Sequence, residues 1–189
     1  MADPRPAQRA VDILVSALGL LLLAPVIGVG ALAVKLTSPG PVFYRAARAG
    51  VGGRSFYMLK LRTMRQAASE GPKITAPGDS RVTPVGRFLR ASKIDEMPQL
   101  LNVLKGDMSI VGPRPPLPSE VEAYDVRTNR RLNVKPGITG LWQTQGRSNL
   151  PWDDGIYLDL MYIDHWSPLL DLVIMARTVR TVLRPDGAY

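Results

Sequence analysis

Apolar and polar positions are distributed very unevenly along this chain. Between Asp12 and Lys35 no residue is charged, and Leu, Val, Ala, Ile and Gly dominate. As a helix, residues 13–34 would measure roughly 33 Å at about 1.5 Å per residue, enough to cross a bilayer. A cleaved signal peptide is the first alternative. Its apolar region is ordinarily shorter, however, and no small-residue cleavage site follows before Lys35-Leu36-Thr37-Ser38-Pro39. Pro25, with Gly28 and Gly30 just beyond, removes a backbone donor and crowds the carbonyl of Leu21, so a kink is predicted there. Two readings stay open: an ordinary spanning helix with a proline kink, which membranes tolerate, and a broken, re-entrant helix whose two ends emerge on one face. Arg5 and Arg9 precede the run, and Lys35, Arg45, Arg48 and Arg54 follow it. A single span would put one basic flank on the far side, against the usual cytoplasmic bias of positive charge, which tips the balance slightly toward the same-side return.

Behind this segment the pattern changes. Ser38-Pro39-Gly40-Pro41 is a breaker cluster; Val42-Phe43-Tyr44 and Ser55-Phe56-Tyr57-Met58-Leu59 then carry strand formers around the turn Gly50-Val51-Gly52-Gly53, which predicts a hairpin. Residues 66–80 are polar with Gly and Pro and read as a loop. Apolar residues at 97, 100, 101 and 104 give a helical stripe, with Asp95, Gln99 and Asn102 on the opposite face and Gly106 as its stop. The strand-like Met108-Ser109-Ile110-Val111 leads into Gly112-Pro113-Arg114-Pro115, a stiff turn presenting one arginine. Residues 169–183 combine a broad apolar face with Arg177 and Arg180, followed by Arg184; packing on the core and lying in a membrane interface are equally compatible with that pattern.

Composition narrows the chemistry. At 189 residues the chain is long enough for one domain with a real core. It has no cysteine and a single histidine, His165, so disulfides, thiolate metal sites, thiol nucleophiles and histidine-rich metal centres are excluded. Catalysis would have to rest on Asp and Glu, assisted by Lys, Arg or an oxygen-ligated metal. The net charge of +8 and pI near 10.1 call for an acidic partner: nucleic acid, anionic lipid headgroups or a phosphorylated small molecule.

Asp95-Glu96 is the carboxylate pair of greatest interest. Ser92-Lys93-Ile94-Asp95 fits a helix-start pattern, and Pro98 suits a first helical turn, so the pair is predicted at a helix N-terminus, where free donors favour a carboxylate or a phosphate. A purely structural capping role accounts for this much. The surroundings add to it: Arg87 and Arg90 precede the pair, Arg114 follows on its turn, Lys60 and Arg62 end the predicted hairpin, and Arg147 lies in the loop Gln145-Gly146-Arg147-Ser148. Arginine forks suit phosphate oxygens, and a carboxylate among such cations can attack phosphorus to form an acyl phosphate, with Mg²⁺ drawn in by the same carboxylates. A serine triad would need His165, which beside Trp166 reads as a packing residue, and no phosphate-binding or dinucleotide glycine motif is present.

Over nearly its whole length the sequence resembles the bacterial sugar transferases, the monotopic phosphoglycosyl transferases, and looks like a small member made of the catalytic core alone. The elements that carry the resemblance occur in family order: the apolar segment, Ser38-Pro39-Gly40-Pro41-Val42-Phe43-Tyr44-Arg45, Lys60-Leu61-Arg62-Thr63-Met64, Asp95-Glu96-Met97-Pro98-Gln99-Leu100, and Asn102-Val103-Leu104-Lys105-Gly106-Asp107-Met108-Ser109. Gly112-Pro113-Arg114-Pro115, Lys135-Pro136-Gly137-Ile138-Thr139-Gly140, and Leu158-Asp159 through Tyr162, Trp166-Ser167 and Asp171 follow. Each is weak alone; together and in order they are highly specific.

The resemblance implies a mostly helical α+β protein, membrane-embedded and monotopic. It would have an N-terminal re-entrant helix over residues 1–36, a small β-hairpin, amphipathic interface helices, and a cytoplasmic catalytic domain over residues 37–189 at the bacterial inner membrane. It implies transfer of a sugar-1-phosphate from a UDP-sugar to polyprenyl phosphate, as in glycoconjugate and exopolysaccharide assembly. Asp95 would be the nucleophile, UMP the leaving group, Glu96 the metal partner or base, and Mg²⁺ the cofactor held by both. Lys60, Arg62, Arg90, Arg114 and Arg147 would hold phosphate or nucleotide groups, with Asp159 a further site member. The family's break often follows a serine, whereas Ala24 precedes Pro25 here. Inner-membrane lipids are expected partners, nucleic acid is not, and a homo-oligomer stays open. Competing readings are a membrane-tethered glycosyltransferase that releases UDP, a basic membrane-associated binding protein and an inactive scaffold subunit.

Overall fold

The apolar run folds as part of one helix, α1 (Pro6–Thr37), in the computed structural model, which describes residues 5–65, 79–145 and 150–183. Pro6 sits in the first turn, where its missing donor is harmless, and Pro25 lies inside the helix without ending it. At 32 residues α1 would be roughly 48 Å long if straight. One face of it is anchored to the rest of the molecule near both ends. Buried Gln8 donates to Tyr162 Oη (2.8 Å), Asp171 Oδ2 (3.0 Å) and the Val111 carbonyl (3.1 Å). Buried Asp12 accepts from Ser109 Oγ (2.9 Å) and the Ile110 N–H (2.8 Å). Arg9 donates to the carbonyls of Val103 (2.5 Å) and Leu104 (2.7 Å). Near the other end, Gly30 lies against Leu61, Leu89 and Ile94, and Val34 is buried with Leu61 and Leu89.

The opposite face of α1 is bare. Leu14, Leu21, Leu22, Val29, Leu32 and Leu36 are all exposed, Leu36 by 75%. Covering one such side chain is worth about 1.5–3 kcal/mol, so a face of this size calls for an apolar environment. Only 11% of its most apolar stretch is buried, unlike the core helix of a water-soluble protein. Length and apolarity are thus sufficient for a membrane helix, and they point to membrane association.

The predicted hairpin forms. Strands β1 (Phe43–Ala49) and β2 (Ser55–Leu61) pair antiparallel from Phe43↔Leu61 to Ala49↔Ser55. Gly52 and Gly53 turn the chain between them at φ +64° and +76°, where a side chain would be strained. Helix α2 (Pro84–Ala91) is capped by Thr83, whose Oγ1 accepts from the Gly86 N–H at 2.9 Å. The short helix α3 (Gln99–Lys105) ends at Gly106 with φ +90°, as its glycine predicts. Strand β3 (Ser109–Val111) pairs parallel with β4 (Gly137–Thr139), a second small sheet that hydrophobic periodicity does not signal. After α4 (Pro118–Val121), α5 (Val126–Asn129) and α6 (Leu141–Gln145), helices α7 (Trp152–Asp164) and α8 (Pro168–Leu183) close the described chain. The main core joins Met58, Val103, Met108, Val111, Leu141, Tyr162 and Ile174. Helix α8 packs one face on the core, where Ile174 is fully buried, while Leu169, Leu172 and Val179 are exposed beside Arg177 and Arg180.

Two local expectations are corrected. Asp95 and Glu96 do not sit in the first turn of α3 but in a separate 3-10 turn, Ile94–Glu96. Ser92 does not cap it, because its hydroxyl donates back to the carbonyls of Phe88 (2.8 Å) and Leu89 (3.2 Å), closing α2 instead. The polar face of α3 is also its inner one. Gln99 and Asn102 are buried while Leu101 is exposed, because the Asn102 amide serves as a pairing partner for β2.

Candidate active site

Lys93 enters the 3-10 turn in the left-handed conformation, φ +59°, the sole non-glycine with positive φ among the described residues. Strain of this kind on a lysine persists where the surroundings impose it, and such positions cluster at functional sites. The turn buries Asp95 to 6% exposure and leaves its Oδ1 sealed without a hydrogen-bond partner. Burial, then the neighbouring Glu96 charge, push the Asp95 carboxyl up to about 6, against the opposing pull of Lys60, Lys93 and Arg90. Glu96 behaves oppositely. Burial acts to raise it, but Lys60, by charge and by a 2.7 Å hydrogen bond to Oε1, outweighs that with help from Lys93 and Arg114, and Glu96 stays below its ordinary range. Adjacent carboxylates are thereby driven apart, one reluctant to ionise and one firmly charged.

The framework explains the placement. Asn102 Oδ1 accepts from the Leu59 N–H (2.9 Å) and its Nδ2 donates to the Tyr57 carbonyl (2.8 Å), so α3 grips β2 just before Lys60. Lys60 then meets Glu96 while its neighbour Leu61 enters the core. Arg90, on α2, donates from Nε to Thr63 Oγ1 at 2.8 Å. Helix α2 approaches Thr63 so closely that a Cβ on Gly86 would lie 2.1 Å from the Thr63 carbonyl oxygen. Arg114 is exposed on a turn whose flanking residues are buried, and its charge reaches Glu96 and Arg48.

Lys60, Arg90 and Arg114 therefore come together around Asp95 and Glu96. Two predicted members sit differently. Arg62 is 7% exposed and donates to the Pro39 carbonyl (2.6 Å), the Ser38 carbonyl (2.7 Å) and Ser38 Oγ (2.8 Å), holding the chain as it leaves α1. Asp159 is fully buried and ion-paired with Arg131 at 2.7 Å. Both are engaged by protein groups away from the Glu96–Lys60 pair, although Asp159 Oδ1 itself has no hydrogen-bond partner. Arg147 lies outside the described residues, as does most of the expected 66–80 loop. Lys93 and Arg48 are the cations that sequence reading passed over; nothing in a lysine side chain signals a left-handed backbone, and Arg48 reads as an ordinary strand residue. His165 is exposed and turned to the Met161 carbonyl, away from any triad.

No group of three or more acidic or histidine side chains able to hold a metal by itself occurs among the described residues. The carboxylate pair still fits Mg²⁺, which takes one or two carboxylates and completes its shell with water and substrate phosphate oxygens. The unpartnered Asp95 Oδ1 is an atom of the required kind.

The model of the bacterial sugar transferase family matches residues 4–185. This chain belongs to the bacterial sugar transferase family. It is accordingly an enzyme, a sugar transferase. Among its relatives, the UDP-glucose:undecaprenyl-phosphate glucose-1-phosphate transferase of Caulobacter vibrioides is 45% identical over 192 residues, covering 96% of this chain and 72% of the relative. The exopolysaccharide production protein ExoY of Rhizobium meliloti is 38% identical over 199 residues, covering 97% of this chain and 88% of the relative. The undecaprenyl-phosphate galactose phosphotransferase of Salmonella typhimurium is 38% identical over 199 residues, covering 96% of this chain but 41% of that longer protein.

Proposed function

We propose that this sugar transferase moves a sugar-1-phosphate from a UDP-sugar to polyprenyl phosphate through a covalent intermediate on Asp95. The observation that carries this reading is the buried, unpartnered Asp95 carboxylate oxygen beside the Glu96–Lys60 ion pair, in the field of Lys93 and Arg90. The names of the relatives supply the substrate class, UDP-sugar and undecaprenyl phosphate.

In the first step an Asp95 oxygen bonds to the β-phosphorus of the donor. The bond from that phosphorus to the oxygen bridging the two phosphates breaks, and UMP departs with the electron pair. Lys60, Arg90 and Arg114 hold the diphosphate and offset the charge that gathers on the leaving phosphate. The phosphosugar remains on Asp95 as an acyl phosphate. In the second step a polyprenyl phosphate oxygen bonds to the same phosphorus, the bond to Asp95 breaks, and the carboxylate is restored. Mg²⁺, held by Asp95 and Glu96 with donor phosphate oxygens, would neutralise part of the diphosphate charge. Glu96, kept ionised by Lys60, is placed to accept an acceptor proton or to hold the metal.

A water-soluble nucleotide sugar and a lipid phosphate meet only at a bilayer surface. Helix α1 fits a membrane-inserted anchor in the bacterial inner membrane, returning to the cytoplasmic face on which the catalytic domain sits. The support is that residues near both ends of α1 are bound to the same domain while its outer face is apolar. The test is the nucleotide product. Purified enzyme in detergent with UDP-sugar, Mg²⁺ and undecaprenyl phosphate should release UMP, whereas release of UDP would identify a glycosyltransferase and overturn the proposal.

A further inference from the structure

Arg114 protrudes from a turn held at four consecutive carbonyls, 113–116. The Pro113 carbonyl accepts from the Gly137 N–H (2.9 Å), and the Pro116 carbonyl from the Ala49 N–H (3.0 Å). The Pro115 carbonyl accepts from Arg48 Nη1 (3.2 Å), and Arg114's own carbonyl from Arg131 Nη2 (3.2 Å). Gly112 lets this happen: a Cβ there would lie 2.5 Å from the Lys135 carbonyl oxygen. Three of these four partners are strand-like contacts or reach in from the hairpin. The fourth, Arg131, comes from a buried polar cluster that the transfer chemistry does not use.

Arg131 is 3% exposed and Asp159 is fully buried. Asp159 Oδ2 accepts from Arg131 Nε at 2.9 Å and lies 2.7 Å from Nη2 in the ion pair. Nη1 donates to Tyr124 Oη, and the guanidinium lies 5.6 to 5.9 Å from the ring centres of Tyr124, Trp142 and Trp152. The fork is thus fixed in plane and rotation, with Nη2 aimed at the Arg114 carbonyl. A buried ion pair is a poor source of net stability, because desolvation cancels most of its attraction. It does fix geometry, which a planar arginine fork does better than an ammonium. Too deeply buried to touch substrate, the pair acts on the residue whose carbonyl it holds.

We infer that Arg131 and Asp159 are positioning residues for the reaction, setting the Arg114 turn so that the Arg114 side chain meets the diphosphate of the donor. The inference rests on the reading of Arg114 as a diphosphate ligand, and it gives Asp159 a role behind the site in place of ligand contact.

The test is a double-mutant cycle on the membrane-embedded enzyme, read as KM for UDP-sugar and for undecaprenyl phosphate. Arg114→Ala and Arg131→Lys should each raise the donor KM about 10-fold, as for the loss of one charge-assisted hydrogen bond, with the acceptor KM unchanged. In the Arg114→Ala background, Arg131→Lys should add less than about twofold, because the two act as one unit. Tyr124→Phe, which leaves the ion pair intact and merely frees Nη1, should give a smaller rise of about threefold, and it carries the test if Arg131→Lys does not fold. Multiplying effects in the double variant, or an unchanged donor KM in Arg131→Lys or Tyr124→Phe, would overturn the inference while leaving transfer through Asp95 standing. An unchanged donor KM in Arg114→Ala overturns it equally. A wild-type enzyme that forms no UMP removes both the inference and the function it rests on.

Discussion

Asp95 occupies a position that works against its own charge. Its carboxyl titrates near 6 in the folded protein, above the ordinary value of 3.8, because burial and Glu96 together exceed the pull of Lys60, Lys93 and Arg90. The stability this group contributes is fully present below about pH 4 and is lost as pH rises through about 6. Asp95→Asn should therefore stabilise the fold at pH 7.5 by up to about 3 kcal/mol and give no gain at pH 4, as thermal unfolding at the two pH values would reveal. The same residue sets activity. Donor kcat/KM should fall below pH about 6 with unit slope, and Lys60→Met should move that limb to higher pH, since Lys60 holds the Asp95 value down. Adjacent acids ringed by arginines are legible in a sequence because they are contiguous or lie in recognisable turns. The burial of Arg62 and Asp159 is not, because their partners, the Ser38 and Pro39 carbonyls and Arg131, are distant in the chain.

At the scale of elements, the hairpin was readable from strand formers flanking glycines, since that signal is local. The orientation of α3 was not. Its apolar stripe marks a helix, but Asn102 faces inward to supply the hydrogen bonds that β2 lacks, a non-local demand. Asn102→Leu should leave the Leu59 N–H and Tyr57 carbonyl without partners. A loss of about 1–3 kcal/mol in stability is expected, together with weaker donor binding as Lys60 drifts from Glu96. Chemical denaturation and donor KM would measure the two effects. Gly86→Ala, which pushes a methyl into the Thr63 carbonyl, should displace α2 and lower the unfolding midpoint by several degrees. The β3 run was legible as strand formers at 108–111, but its parallel partner β4 was not, because Gly137–Thr139 is too short for a period to register.

For the whole molecule, the apolar segment was visible from its lack of charge, while its docking was not. Gln8, Asp12 and Ser16 look like the polar approach to a membrane helix, yet they are buried against the catalytic domain. The natural absence of cysteine permits a direct test of topology. Single cysteines at Ala7 and Lys35 should both react with an impermeant maleimide from the cytoplasmic side alone, and one at Leu22 should be protected by lipid. Labelling at Ala7 from the outside would instead establish an ordinary span. The central claim is that a carboxylate held in this cationic, half-sealed site forms a bond to phosphorus. Intact-mass and peptide mass spectrometry after incubation with UDP-sugar and Mg²⁺, without lipid acceptor, tests it most directly. A sugar-phosphate adduct on the peptide containing Asp95, absent in Asp95→Asn and discharged by added undecaprenyl phosphate, is the predicted result; an adduct undiminished in Asp95→Asn, or none in an enzyme that releases UMP, would contradict it.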